Sequence, residues 1–184
     1  METDDLILLK ILKGIKTITE LANELNLSRP GVWKALKKLE KDNLIILNQI
    51  TNTKTSIKII TLNWKNPLTE KLLETLLIKE ANQYQRWLDT FIDIKEISYF
   101  VILFGSIIIN EKRANDIDLL IVSDNFKEIN KKLEKIQKTQ IKKIHSTNLT
   151  KYEFKKELNT TIFKDIIKKG IILYGQNNFI NLLK

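Results

Sequence analysis

The sequence predicts an α+β chain of two unlike units joined by a helix. Three observations predict it. Short helical patterns with capping residues fill the first forty or so positions and give way to two strand-like runs. Asn66-Pro67 then opens a long stretch of apolar residues at helical spacing. Beyond it, two strand-like runs enclose a Gly-Ser and lead out of an Asp-x-Asp, followed by alternating helix and strand patterns that suit a small mixed sheet.

Composition bounds what such a chain can do. With 184 residues it suits one ordinary domain or two small ones. Hydrophobic residues make up 43%, enough for a packed core, and 5 Gly with 2 Pro exclude collagen-like and low-complexity readings. The absence of cysteine removes a disulfide framework, a thiolate zinc site and a cysteine nucleophile. A single histidine, His145, leaves no multi-histidine mechanism. Catalysis would have to run on carboxylates, hydroxyls, lysines or a carboxylate-bound metal. No apolar run of about 18 residues is present. The acidic start Met1-Glu2-Thr3-Asp4-Asp5 is unlike a secretory signal. A cytoplasmic protein without a membrane span is expected.

The net charge of +9 is unevenly spread: +4 over residues 1–66, −2 over 67–96 and +7 over 97–184. Two basic blocks flank a mildly acidic one, which suggests polyanion-facing surfaces at either end. The expected units are 1–63, a connecting helix over 64–96, and 97–184.

In the first unit, Asp4 and Asp5 lead into a short apolar helix ended by Gly14. Thr17-Ile18-Thr19-Glu20 is a capping-box pattern for a second helix running to about Asn26 and burying Leu21, Ala22 and Leu25. Ser28 caps a third, with Val32, Leu36 and Leu39 on its inner face and Arg29, Trp33, Lys34, Lys37, Lys38 and Lys41 outside. Leu44–Leu47 and Ser56–Ile60 form the two strands, with the polar Asn48–Thr55 as the turn between them. This order, with Leu21–Ser28 and Leu36–Ile45 as the matching residues, resembles a winged helix-turn-helix domain. Asn43 stands where relatives often have Gly, as the next-best residue for a left-handed backbone.

The resemblance implies double-stranded DNA as a partner and transcription regulation as the role. A helix N-terminus in the major groove brings side chains to base edges while lysines meet phosphates. Ser28 and Arg29 stand at that N-terminus, Arg29 within reach of a guanine. Lys34, Lys37 and Lys38 would anchor the backbone, and Lys54 would meet a phosphate from the wing. Trp33 fits either a groove contact or half-buried packing. Surface lysines on a helix are also commonly only solvated, and winged helices also serve in protein contacts.

From Leu68 to about Lys95, Leu72, Leu73, Leu76, Leu77, Ala81, Tyr84, Trp87, Leu88 and Phe91 keep helical spacing, predicting one helix of about 40 Å. Its apolar stripe suits either a spacer packed on the following sheet or the seam of a homodimer.

The chemistry-bearing motif lies next. Ile97–Phe104 is a buried strand running into Gly105-Ser106, and Asp116-Ile117-Asp118 opens a second strand through Val122. Residues i and i+2 of a strand share a face, so Asp116 and Asp118 project together. Two carboxylates on one face make a hard oxygen site for Mg²⁺. With Phe104, Gly105, Ser106, Asp116, Asp118 and the closing Ile167–Gly175, this stretch resembles the minimal members of the nucleotidyltransferase superfamily over about residues 97–175.

That resemblance implies the nucleotidyltransferase fold and assigns Ser106, Asp116 and Asp118 to catalysis, Gly105 and Ser106 to nucleotide binding, and Asp116 and Asp118 to the metal. It also implies an NTP ligand and a protein partner. Relatives place a third carboxylate on the following strand, best located at Gln140–Thr147, yet that run holds Lys142, Lys143 and His145 and no acid. Asn110 replaces a common Gly, tolerable in a left-handed turn, and Ile109 a common Arg or Lys.

Two readings stay open. One is a DNA-binding regulator whose second domain binds nucleotide and Mg²⁺ or has become degenerate. The other is an active minimal transferase, antitoxin-like, that moves AMP from NTP to a protein or small molecule. The helix near Phe126–Lys138 carries Ile129, Leu133 and Ile136 inward and Lys127, Lys131, Lys132, Lys135 and Lys138 outward, by default a solvated face and otherwise a contact for RNA, DNA or an acidic protein.

Overall fold

Residues 1–49 and 58–184 are described in the structure, a computed structural model, and they divide into two units, Met1–Leu76 and Leu77–Lys184. Lys54 and the rest of residues 50–57 lie outside the described residues, whereas Asn48 and Gln49 of the expected turn extend the first strand.

In the first unit each helix begins where a side chain satisfies its open N–H groups. Helix α1 (Thr3–Leu12) starts with Asp4 and Asp5 in its first turn, where carboxylates complement the helix dipole, and Gly14 at φ +100° breaks it. Helix α2 (Ile18–Leu25) carries the expected capping box. Thr17 Oγ1 accepts from the Glu20 N–H at 3.2 Å, and Glu20 Oε2 accepts from the Thr17 N–H at 3.1 Å. Leu21 and Ala22 are buried, while Leu25 is only half-buried. Helix α3 (Arg29–Lys41) is capped by Ser28, whose Oγ accepts from the Gly31 N–H at 3.2 Å. Val32, Ala35, Leu36 and Leu39 are buried.

Strands β1 (Ile45–Gln49) and β2 (Lys58–Leu62) pair antiparallel, Ile45 opposite Leu62, with α3 against β1 and α1 against β2. Asn43 adopts the left-handed conformation at φ +58°, as its place at the end of α3 required. Its carbonyl accepts from Asn63 Nδ2 and Asn66 Nδ2, each at 3.0 Å, and its Oδ1 accepts from Asn63 Nδ2 at 2.8 Å. Three asparagines thus tie the end of α3 to the chain entering the next helix. Asn66 Oδ1 in turn accepts from the Leu68 N–H, and helix α4 (Pro67–Ala81) follows.

The single long helix expected from Leu68 to Lys95 is not what forms. α4 ends at Ala81, Asn82–Tyr84 make a 3₁₀ turn, α5 covers Gln85–Thr90, and a second 3₁₀ segment spans Ile92–Ile97. Helical spacing alone could not reveal the break. Tyr84, at φ −114° and ψ 39°, leaves helical geometry, and the chain beyond it sends Trp87, Phe91 and Ile94 into the core of the second unit. Of the apolar stripe, Leu73, Leu76, Leu77, Ala81, Trp87 and Phe91 are buried within the single chain, as a spacer packed on its neighbours requires, while Leu68, Ile78 and Ile92 remain exposed.

The second unit is a mixed sheet with helices on both faces. Strands β3 (Phe100–Phe104), β4 (Asp116–Val122), β5 (Lys143–Leu149) and β6 (Ile171–Tyr174) stand in the order β5-β4-β3-β6. β4 and β5 are parallel, and the other pairs are antiparallel. Ile117, Leu119 and Ile121 share one face with Val101 and Leu103. That face packs against Trp87, Phe91 and the inner residues Ile129, Leu133 and Ile136 of α6 (Phe126–Gln137).

On the other face Phe100 meets Phe154 of α7 (Lys151–Glu157) at 5.0 Å and Phe179 of α9 (Gln176–Leu183) at 5.5 Å, both edge to face. Helix α8 (Thr161–Lys169) leads into β6. Tyr174 closes β6, its hydroxyl donating to the Leu88 carbonyl; burial, with Asp89 adding, pushes its pKa up to about 12.

β5 begins later than the expected Gln140–Thr147. The Gln137 side chain explains this: its Nε2 donates to the Gln140 and Lys142 carbonyls and its Oε1 accepts from the Ile144 N–H at 2.7 Å. Residues 140–142 are thereby gathered into a turn that leaves Ile141 fully exposed.

Asn43→Ala, which keeps neither the left-handed preference nor the Oδ1 acceptor, is expected to lower stability by about 2 kcal/mol, and Asn43→Gly by less. Urea denaturation of the full chain checks both.

Candidate functional site

The exposed surface of α3 is the first candidate. At 100° per residue, Val32, Ala35, Leu36 and Leu39 define the inner face, which leaves Lys34, Lys37 and Lys41 along the outermost line. Arg29 and Trp33 lie on one shoulder and Lys38 on the other. Ser28 is exposed but its hydroxyl is committed to the cap. Trp33 is half-buried, and the Lys37 ammonium sits 4.9 Å from its ring centroid.

The lysines are not equivalent. Lys37 Nζ also pairs with Glu40 at 2.7 Å, and Lys38 Nζ with Asp4 of α1 at 2.6 Å. The Asp4 bond holds the Lys38 ammonium above its ordinary pKa. Arg29 and Lys34 have no ion pair among the described residues and are exposed. The tie from Asp4 was invisible to a reading that followed α3 alone.

The second candidate is the end of the sheet where β3 turns into Gly105. The register sets Phe104 opposite Asp118, so the chain leaving β3 passes directly over that carboxylate. Gly105 has φ +81°, and a Cβ there would lie 2.2 Å from Asp118 Oδ2. Gly105, which the resemblance implies for nucleotide binding, thus also makes room for the acid itself. Gly105–Ile108 form a 3₁₀ turn in which Ile107 is buried and Ser106 exposed, and the Ser106 carbonyl accepts from the N–H groups of Ile109 and Asn110.

Asn110 then caps the descent to β4. Its Oδ1 and carbonyl accept from the Arg113 N–H, and its carbonyl also accepts from Ala114. It does so with a negative φ, so the left-handed turn expected there does not form. Ile109 points to solvent.

Asp116 and Asp118 share one face of β4, opposite the face that Ile117 and Leu119 bury. Both are half-buried and neither is ion-paired among the described residues. Burial first, and then the like charge of Asp116, raise the Asp118 carboxyl above the usual carboxylate range, with His145 pulling the other way. The parallel register places Lys143 beside Asp116 and His145 beside Asp118. Paired residues of adjacent strands share a face, so a lysine and a histidine flank the two acids where relatives have a third carboxylate. Lys142 turns away and donates to the Ala114 carbonyl.

A hard divalent cation suits this donor set. Two adjacent carboxylates that form no ion pair among the described residues, one of them in a setting where burial and its like-charged neighbour disfavour the ionised form, are stabilised by a shared positive ion. No cluster of three or more acidic or imidazole side chains that could hold a metal occurs among the described residues, so the protein offers two ligands and bound phosphate would have to supply more.

Gly105→Ala is expected to cost about 2 kcal/mol through the left-handed backbone and the crowding of Asp118. Asp118→Asn should cost little or raise stability, because it removes a buried like charge. Thermal unfolding of the two variants tests the contrast.

Comparison with known proteins agrees with this division. A family model described as winged helix-turn-helix DNA-binding matches residues 5–46. A second, described as polymerase beta, nucleotidyltransferase, matches residues 88–179, half of the chain. No curated protein matches at a significant level. Among solved structures, a mutant of Lactococcus lactis ZitR is similar at 22% identity over 74% of this chain and 73% of that one, with a TM-score of 0.35, too low to bear on fold or function. With Gly105, Ser106, Asp116 and Asp118 all inside the longer match, the chain belongs to the polymerase beta nucleotidyltransferase family and carries a winged helix-turn-helix DNA-binding domain ahead of it.

Proposed function

We propose that this protein is a DNA-binding transcription regulator whose nucleotidyltransferase domain binds a nucleoside triphosphate with one Mg²⁺ and does not transfer it. The observation that carries the nucleotide half is the packing of Gly105 on Asp118. It keeps two adjacent carboxylates and an exposed serine turn together at the open end of the sheet.

In this reading Asp116 and Asp118 hold the ion, which when bound would offset phosphate charge. Gly105 and Ser106 present backbone N–H groups and a hydroxyl to a phosphate oxygen. Lys143, beside Asp116, adds a point charge for another. Transfer would further require a group that takes the proton of an acceptor hydroxyl. In relatives a third carboxylate does so, and β5, Lys143-Ile144-His145-Ser146-Thr147-Asn148-Leu149, has none.

For the DNA half, α3 enters the major groove, Arg29 reaches a base edge, and Lys34 and Lys37 meet phosphates. Lys37 and Lys38 contribute less than Lys34 because their ammonium groups are already engaged by Glu40 and Asp4. A helix that presents three outward lysines and an arginine suits a polyanion whose binding weakens with salt.

Two measurements test the proposal. NTP with Mg²⁺ should raise the melting temperature of wild type but not of Asp116→Asn/Asp118→Asn. No shift in wild type removes the nucleotide half, and labelled nucleotide appearing on an acceptor replaces it with the transferase reading. In a mobility-shift assay the Lys34→Ala/Lys37→Ala/Lys38→Ala variant should bind DNA at least about tenfold more weakly, Lys34→Ala having the largest effect of the three single changes. An unchanged shift in the triple variant removes the assigned DNA surface.

A further inference from the structure

Helix α6 carries a second basic surface that the nucleotide site does not use. Its inner residues Ile129, Leu133 and Ile136 cover the sheet face opposite to that of Asp116 and Asp118. At 100° per residue, the line farthest from those three runs through Lys127, Lys131 and Lys138, with Lys135 beside it. All four are exposed, and none has an ion pair among the described residues. Nearby groups that could have neutralised them are held elsewhere or left apart. Glu128 is tied to the cap residue Asn125, its Oε2 accepting from Asn125 Nδ2 at 2.8 Å, and Glu134, as near the line as Lys135, forms no ion pair among the described residues. Lys132 is different: half-buried, it donates to the Asp93 carbonyl at 2.7 Å and belongs to the fold.

Like charges at i, i+4 and i+8 repel and weaken a helix. Lys127, Lys131 and Lys135 stand at that spacing and line a shallow groove of about 420 Å³ together with Lys132, Asn125 and Glu128. A partner with regularly spaced negative charge converts the repulsion into binding. The line spans about 16 Å, close to the axial rise of five phosphates along one DNA strand. It has no exposed apolar residue among its lysines, which fits a phosphate backbone better than a protein surface.

We propose that the α6 lysine line is a second, sequence-independent DNA-binding surface that grips the phosphate backbone of duplex DNA. The inference rests on DNA being the partner of the winged helix-turn-helix domain, and it adds a contact made by the nucleotidyltransferase domain. Two linked surfaces on one polymer raise overall affinity through effective concentration, without adding base readout.

The test uses the full chain and a labelled duplex of arbitrary sequence, titrated across salt concentrations. Lys127→Gln/Lys131→Gln/Lys135→Gln/Lys138→Gln should bind at least about tenfold more weakly at low salt, and the slope of log affinity against log salt should fall by about 3 to 4. The same four changes to Arg should preserve affinity and slope. The α3 triple variant should keep a residual salt-sensitive binding that the combined seven-residue variant loses, which separates this surface from the first. The proposal is overturned by a Gln variant with wild-type affinity and slope, by an Arg variant as weak as the Gln variant, or by lysine-dependent capture of polyglutamate with duplex binding unchanged. A wild type that binds no duplex overturns this surface and the regulator reading together.

Discussion

The contact between the backbone of Gly105 and the carboxylate of Asp118 is the constraint on which the second unit turns. β3 and β4 are the two inner strands of the sheet, and their register brings Phe104 opposite Asp118. A side chain at the next position would collide with the Asp118 carboxylate, which would have to swing aside. With glycine there, the chain can bend over the acid into a 3₁₀ turn and present Ser106 beside the carboxylate pair. The turn, the acids and the open end of the sheet are therefore one geometric unit, built by strand pairing and one missing methyl group. The cost is electrostatic: Asp118 is held in a setting that disfavours its charge, beside a second acid.

Charge is organised differently in the two units. In the first, the lysines of α3 are partly consumed by the fold. Lys38 braces α1 through Asp4, and Lys37 is shared between Glu40 and the Trp33 ring. In the second, α6 leaves a line of lysines without such partners and reserves only Lys132 for structure. Counting basic residues treats these surfaces alike, whereas their neighbours distinguish a side chain that supports the fold from one that is available to a ligand.

Much of the fold was legible because local chemistry decides it. Thr17 with Glu20, Ser28 before α3, and Asn66 before Pro67 are helix starts that depend on a few adjacent atoms, and all three cap as the pattern implied. Asn43 was legible for the same reason. The strand Asp116–Val122 was legible through its apolar run and the pairing of acids at i and i+2. What sequence could not show depends on partners far along the chain. The break at Asn82–Tyr84 follows from where Trp87 and Phe91 must be buried, and helical periodicity persists through it. The late start of β5 follows from one glutamine on the preceding helix. The reason for Gly105 is a carboxylate thirteen residues downstream, and the engagement of Lys38 is set by an acid on another helix.

β5 is the outermost strand on its side of the sheet, so its far row of peptide groups has no neighbouring strand among the described residues. Such a rim is a template on which copies of a protein can polymerise. Here Gln137 seals its beginning, and the rest is lined by Lys143, His145, Ser146, Thr147 and Asn148, a polar run that disfavours stacking into fibrils. The polar residues of β5 thereby guard the molecule against self-assembly. Replacing this run with β-branched apolar side chains would trade colloidal stability for a stickier sheet, whatever became of the chemistry next door.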